Sequence, residues 1–308
     1  MNNQAKFLHK AIQFLHKAAG IINKTKQPKT PFISNAPFEF ETVTVNERGK
    51  IIKRTAHQAN QEILHLNGVT IEMVYVPGGT FLMGSPKTEK DRRFWLESPQ
   101  HPVTVAPFYM GKYPITQSQW QAVMGNNPPI EWIYYDDAIT FCEKLSKIMG
   151  KSYRLPSEAQ WEYACRAGTT TPFYFGETMT TNLANYRGTD TQWGGSGSYR
   201  SEPKGVYREQ TTKVGRFPPN AFGLYDMHGN VWEWCADPWH GKYKGAPTDG
   251  SVWETGGDSN LRVLRGGAWD LVPRSVRSAS RDRLSHDTRR KTVGFRLSKL
   301  TDTIPKKG

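Results

Sequence analysis

The sequence predicts an α+β fold that is loop-rich, with few short helices and short antiparallel strands. Three observations carry the expectation. The 308 residues include 10 Trp, 13 Tyr and 14 Phe within a hydrophobic content of 37%, enough apolar surface for a packed core. The 28 Gly and 20 Pro are spread along the chain rather than gathered, so turns recur throughout and long helices are disfavoured. Helical periodicity is confined to a few stretches, and the other apolar runs are short.

Taken in order, Lys6 to Ile22 place apolar residues three and four apart, with Lys6, His9, Lys10, Gln13, His16 and Lys17 opposite. This is the pattern of a basic amphipathic helix that binds a partner, self-associates or docks on its own domain. Lys24 to Pro37 is polar with three prolines and reads as a linker. Phe38 to Val45 and Lys50 to Arg54 flank Asn46-Glu-Arg-Gly49, a β-hairpin signal read as a small accessory element. Residues 1–66 thus form an N-terminal extension, and 67–300 the main domain. Within the latter, strands are expected at Ile71–Val76 and Thr80–Met83 around a Pro-Gly-Gly turn. Tyr135–Met149 has a helical face of Ala138, Phe141, Cys142 and Leu145, and Leu155–Cys165 is a second helix with Ser157 as N-cap.

The formal charge is +13. From Leu261 to Leu300 nine Arg and two Lys face three Asp, a local excess of +8 that suits an anionic partner, a nucleotide or nucleic acid included. Cys142, Cys165 and Cys235 are too few and too scattered for a disulfide framework, and none forms a CxxC pair, as expected of a protein in a reducing cytoplasm. No stretch has the apolar run of a signal peptide or a transmembrane helix. The phosphate loop GxxxxGK[ST], the GxSxG elbow and the HExxH pair are all absent, and Gly194-Gly-Ser-Gly-Ser198 reads as a flexible loop.

Several blocks occur in a fixed order: Val76-Pro-Gly-Gly-Thr-Phe-Leu-Met-Gly84, Glu97-Ser-Pro-Gln-His101, Tyr113-Pro-Ile-Thr116, Arg154-Leu-Pro-Ser-Glu-Ala-Gln-Trp-Glu-Tyr163, Phe217-Pro-Pro-Asn220, Phe222-Gly-Leu-Tyr-Asp-Met-His-Gly-Asn-Val-Trp-Glu-Trp234, Arg265-Gly-Gly267 and Gly294-Phe-Arg296. In this order they resemble the formylglycine-generating enzyme, or sulfatase-modifying factor, family, which implies an elaborated C-type lectin-like fold over about residues 67 to 298. Activity in that family rests on two cysteines spaced C-x4-C that bind copper. The matching positions here are Leu271 and Val276, neither of which supplies a thiolate, so no copper and no oxidase activity of that type are expected. An enzyme with altered chemistry, using Cys235, stands as an alternative.

Within the same fold the C-terminal segment resembles the variable proteins of diversity-generating retroelements, whose binding surface is rewritten by adenine-directed mutagenesis. The frame Gly266-Gly-Ala-Trp269, Pro273-Arg274, Arg277-Ser-Ala279, Arg281, Arg283 and Gly294-Phe-Arg296 is intact. The resemblance implies a non-catalytic protein whose ligand (protein, peptide, anionic small molecule or nucleotide) meets a variable segment at about 269–296. The variable positions are Leu271, Val272, Ser275, Ser280, Asp282, Leu284, Ser285, Thr288 and Arg290, with Arg274, Arg277, Arg281, Arg283 and Arg296 assigned to structure. No Asn remains between Arg265 and Leu300, in keeping with rewritten asparagine codons, whereas Lys291 departs from that pattern. The resemblance also implies a structural calcium ion held by Asp226, Gly229, Val231 and Glu233. The alternative, that the two carboxylates accept backbone N–H bonds and hold no ion, stays open.

Overall fold

A computed structural model describes residues 30–125 and 132–301. The amphipathic stretch Lys6–Ile22 lies outside the described residues. Eleven strands and three α-helices are found among those described: β1 (Phe32–Val45), β2 (Ile51–Leu66), β3 (Val69–Val76), β4 (Gly79–Met83), β5 (His101–Val105), β6 (Phe108–Gly111), α1 (Gln117–Met124), α2 (Tyr135–Met149), α3 (Glu158–Arg166), β7 (Trp232–Trp239), β8 (Asp258–Arg265), β9 (Arg281–Ser285), β10 (Val293–Gly294) and β11 (Ser298–Leu300). The fold is α+β and C-type lectin-like, with long irregular connections between Arg166 and Trp232.

Three sheets organise these elements. One runs β1-β2-β3-β6-β11, the second β10-β7-β8-β9, and the third pairs β4 with β5. All pairings are antiparallel except β10 on β7. Because β11 pairs with β6, the end of the lectin-like region closes onto its beginning, and the segment between β8 and β11 is held at both ends by sheet hydrogen bonds.

The hairpin is much longer than the sequence suggested. β1 begins at Phe32, inside the stretch read as a linker, and stays in register with β2 from Phe32↔His65 onward. Pro37 is tolerated because β1 is the outer strand of its sheet, where half of the N–H groups face away from the neighbouring strand. The hairpin is no accessory element: Val43 and Val45 are buried in the main core, and Val45 N–H donates to Phe175 O at 2.9 Å.

The helices follow local rules. Thr116 and Ser157 each cap their helix reciprocally with a Gln three residues on. α1 was not anticipated, although Thr116-x-x-Gln119 carries its start signal. α2 has the expected bounds and buries Tyr135, Ala138, Phe141, Cys142 and Leu145 against Trp120, Trp234 and Phe295. α3 is buried along all nine of its residues, the carboxylates of Glu158 and Glu162 included. A buried carboxylate requires paired charge, and this requirement organises the C-terminal segment.

Candidate ligand-binding site

β8 ends in Arg265, and the chain then turns through Gly266 (φ 90°) and Gly267 (φ 73°). A Cβ on Gly267 would lie 2.3 Å from Val276 Cγ1 and 2.8 Å from Ser275 O, so this turn admits only glycine. Beyond it the chain passes Trp269, a 3-10 turn at Pro273–Ser275, and β9, before returning through residues 286–292 to β10.

Four arginines of this region, Arg265, Arg277, Arg281 and Arg296, are wholly buried. Arg265 donates to Glu158 Oε1 (3.0 Å), Glu162 Oε2 (2.6 Å) and Ser278 O (2.7 Å). Arg281 takes both oxygens of Glu158 (2.7 and 2.6 Å), lies 4.4 Å from the ring centres of Trp239 and Tyr243, and reaches His240 O and Leu96 O with Nη1. Arg277 takes both oxygens of Glu97 (2.7 and 3.1 Å) and one of Glu89, and donates to Asp91 O. Arg296 grips Glu233 with two bonds (2.6 and 2.7 Å) and donates to Gly111 O and Tyr225 O. Planar guanidinium forks suit such bidentate, fully desolvated pairs. Burial pushes the Glu162 carboxyl up, but Arg166 and Arg265 outweigh it and leave it below the ordinary value. Burial keeps Glu89 above its ordinary value despite Arg277.

The structural assignment of Arg277, Arg281 and Arg296 therefore has a physical basis. That of Arg274 and Arg283 does not: both side chains are exposed, and Arg283 lies against the Trp239 ring at 4.9 Å. The +8 excess is correspondingly less available to an anionic partner than composition suggests, because four of its arginines are spent on buried carboxylates and carbonyls.

The nine positions read as variable divide by depth. Val272, Ser275, Ser280 and Leu284 are buried, and Leu271 is half-buried between the two core clusters. Asp282, Ser285 and Thr288 are half-exposed and Arg290 is exposed. The structure gathers these last four on the outer run 282–291 with Arg283, expected to be structural, with Lys291, and with Asp287 and Arg289, which sequence reasoning left out. Lys291 Nζ lies 5.0 Å from the Trp269 ring, which also stacks on Tyr207 and, through it, meets Arg187. Trp269 thus anchors the return of the loop.

The residues expected to hold calcium have distinct surroundings. Asp226 is buried at φ 58°, its Oδ2 accepts Gly215 N–H at 2.7 Å, and its Oδ1 has no partner, which suits a cation. Glu233, however, is closed by Arg296 and by Trp161 Nε1 at 2.7 Å, and the Gly229 carbonyl accepts Val231 N–H. Among the described residues no group of three or more His, Cys, Asp or Glu side chains is arranged to hold a metal ion. Of the two expected carboxylates, Asp226 thus keeps a free oxygen while Glu233 is engaged by Arg296 and Trp161.

The positions matching the family's cysteines also have clear surroundings. Val276 is wholly buried in the core beside Gly267, and Leu271 packs between clusters. Cys142, Cys165 and Cys235 are all buried. Burial pushes the Cys142 and Cys165 thiols up to about 12 and Cys235 well above its usual range, so no described thiol is poised as a thiolate.

Comparison with known proteins identifies the family and the fold. Residues 63–128 and 125–300 match the model of the sulfatase-modifying factor enzyme 1-like domain. The chain belongs to this family. It is 26% identical to the formylglycine-generating enzyme of Mycobacterium tuberculosis over 73% of this chain and 96% of that one. Among solved structures it resembles PvdO from Pseudomonas aeruginosa (TM-score 0.65, 34% identity, 75% of this chain and 94% of that one). It shares its fold with Treponema denticola variable protein 1 (TM-score 0.64, 24% identity, 78% and 99% covered). The chain spans only 41% and 38% of the length of two chlamydial proteins named serine/threonine-protein kinase pkn1 that it also matches. No helix among the described residues is long and apolar enough to cross a membrane.

Proposed function

We propose that this chain is a non-catalytic, cytoplasmic ligand-binding member of the family, whose diversified surface is the outer run 282–291. The observation that carries this reading is the separation of roles in one segment. Buried arginines at 277, 281 and 296 hold its frame, while the intervening side chains of Asp282, Ser285, Thr288 and Arg290 reach solvent. A frame held by buried pairs leaves its outer positions free to change, since substitutions away from core and strained sites usually alter stability by about 0.5 kcal/mol or less. The fold shared with a variable protein, and the absence of thiols at Leu271 and Val276, support the same reading.

The test begins in the DNA. A near-copy of the sequence encoding residues 269–296, differing only at adenines and lying beside a reverse transcriptase, is the expected finding. The protein test is direct: with copper and oxygen supplied, the purified chain should leave a cysteine-containing sulfatase-type peptide unchanged. A mass loss at the peptide cysteine would falsify the non-catalytic reading.

A further inference from the structure

A cleft of about 680 Å³ lies outside the variable segment, between the loop that follows β4 and the turn that follows β7. Its lining includes Lys87, Arg92, Lys242 and Lys244, with no carboxylate. Two of the three acids of the same loop are directed elsewhere, Glu89 and Glu97 being buried on Arg277, while Asp91 is exposed and is not part of the lining. Arg92 is half-buried, and its guanidinium donates to the hydroxyls of Ser85 (3.1 Å) and Ser98, both of which also line the cleft. These partners are neutral, and among the described residues no carboxylate pairs with Arg92. A hydroxyl that accepts from a guanidinium keeps its own proton to donate, so the three groups form a donor set for an oxyanion.

The rim adds a second chemistry. Phe94 and Trp95 are 61% and 53% exposed and meet edge to face at 4.9 Å. Two adjacent large aromatics left in water beside four cations have no packing role in the core, and they offer a stacking face to a planar ring.

The cleft is also preorganised. Arg281 Nη1 donates to Leu96 O (3.1 Å) on one wall and to His240 O (2.8 Å) at the base of the other. Tyr243 N–H donates to Ser98 O at 2.9 Å, tying the same walls together. None of the lining residues falls within 269–296, so the ligand of this cleft is set by the constant part of the chain.

We infer that this cleft binds a small ligand carrying an anionic group on a planar ring system, with a nucleoside diphosphate as the representative chemistry. Arg92, Ser85 and Ser98 receive the anion, Lys87, Lys242 and Lys244 neutralise its outer charge, and Trp95 stacks on the ring. The probe is ADP, titrated calorimetrically into the purified full chain at low salt, beside adenosine and inorganic phosphate. One ADP should bind per chain with Kd below about 1 mM, and each fragment alone should bind at least about tenfold more weakly. Trp95→Ala and the double variant Lys242→Glu/Lys244→Glu change exposed side chains and should each weaken ADP by about fivefold or more. Asp282→Ala/Arg290→Ala should leave it unchanged, which separates this site from the diversified surface. Absence of saturable ADP binding, phosphate alone binding as tightly as ADP, or ADP binding undiminished in both cleft variants, each with an unaltered Tm, would overturn the inference.

Discussion

Replacing Arg277 with Met should severely destabilise the segment between β8 and β11. The side chain is wholly buried, and its partners Glu97 and Glu89 are 0% and 7% exposed. Among the described residues Glu97 has no other side-chain donor, and Glu89 Oε2 is without a partner. Met restores the volume but strands two carboxylates in the core. Breaking a buried pair by removing one partner costs about 3–5 kcal/mol, and here two acids share the lost cation. Against a total stability of about 5–15 kcal/mol, this leaves a marginal fold. Urea unfolding followed by tryptophan fluorescence should show the midpoint falling accordingly at pH 7. The deficit should shrink toward pH 4, because protonating the two stranded acids removes the unpaired charge. Adding Glu89→Gln and Glu97→Gln should recover part of the loss at pH 7. A loss under about 1 kcal/mol, with no steeper dependence on pH, would refute the assignment of Arg277 as the clamp of the 86–98 loop.

Other consequences are equally direct. Asp237 accepts the N–H groups of Glu158 and Trp253, yet burial, aided by Glu158, pushes its carboxyl up to about 7. Its folded value exceeds the unfolded one, so its contribution is fully present below about pH 4 and is lost as pH rises through 7, with a ceiling on the order of 4 kcal/mol. Urea titrations at pH 5 and pH 8 should show that decline, and Asp237→Asn should flatten it. Gly267→Ala combines φ 73° with a 2.3 Å approach to Val276, and should lower stability by about 2 kcal/mol or more; an unchanged midpoint would mean that the turn relaxes. Arg290→Ala or Thr288→Ala should move stability by no more than about 0.5 kcal/mol, whereas Leu284→Asp, at a buried position, should cost about 3 kcal/mol, and equal effects would erase the division by depth. Because Glu233 is closed by Arg296 and Trp161, millimolar calcium should leave the Tm where EDTA leaves it; a rise of several degrees would restore the calcium site.

Much of the architecture could be read from local pattern. The apolar spacing of α2 gave its bounds, and Ser157-x-x-Gln160 marked the start of α3, because capping and amphipathicity are properties of a few neighbouring residues. Pro37 and its polar neighbours hid the first third of β1, since only an outer position in a sheet excuses a proline there. The candidate site was legible as a segment but not residue by residue. Val272, Ser280 and Leu284 lie inside, whereas Arg274 and Arg283 lie outside, against their expected roles. The run has no helical or strand period, so nothing local states which way a side chain faces.

By itself, then, the sequence determined the order of the family's blocks, the glycine turn at Gly266-Gly267, and the presence of Leu271 and Val276 where the family has its two cysteines. These depend on residue identity at fixed spacing. The tertiary structure alone decided which arginines carry the frame and which meet solvent. Arg277 finds Glu97 from 180 residues away, and Arg281 finds Glu158 from 123. A buried carboxylate selects its cation by proximity in the folded core, and no pattern along the chain records that choice.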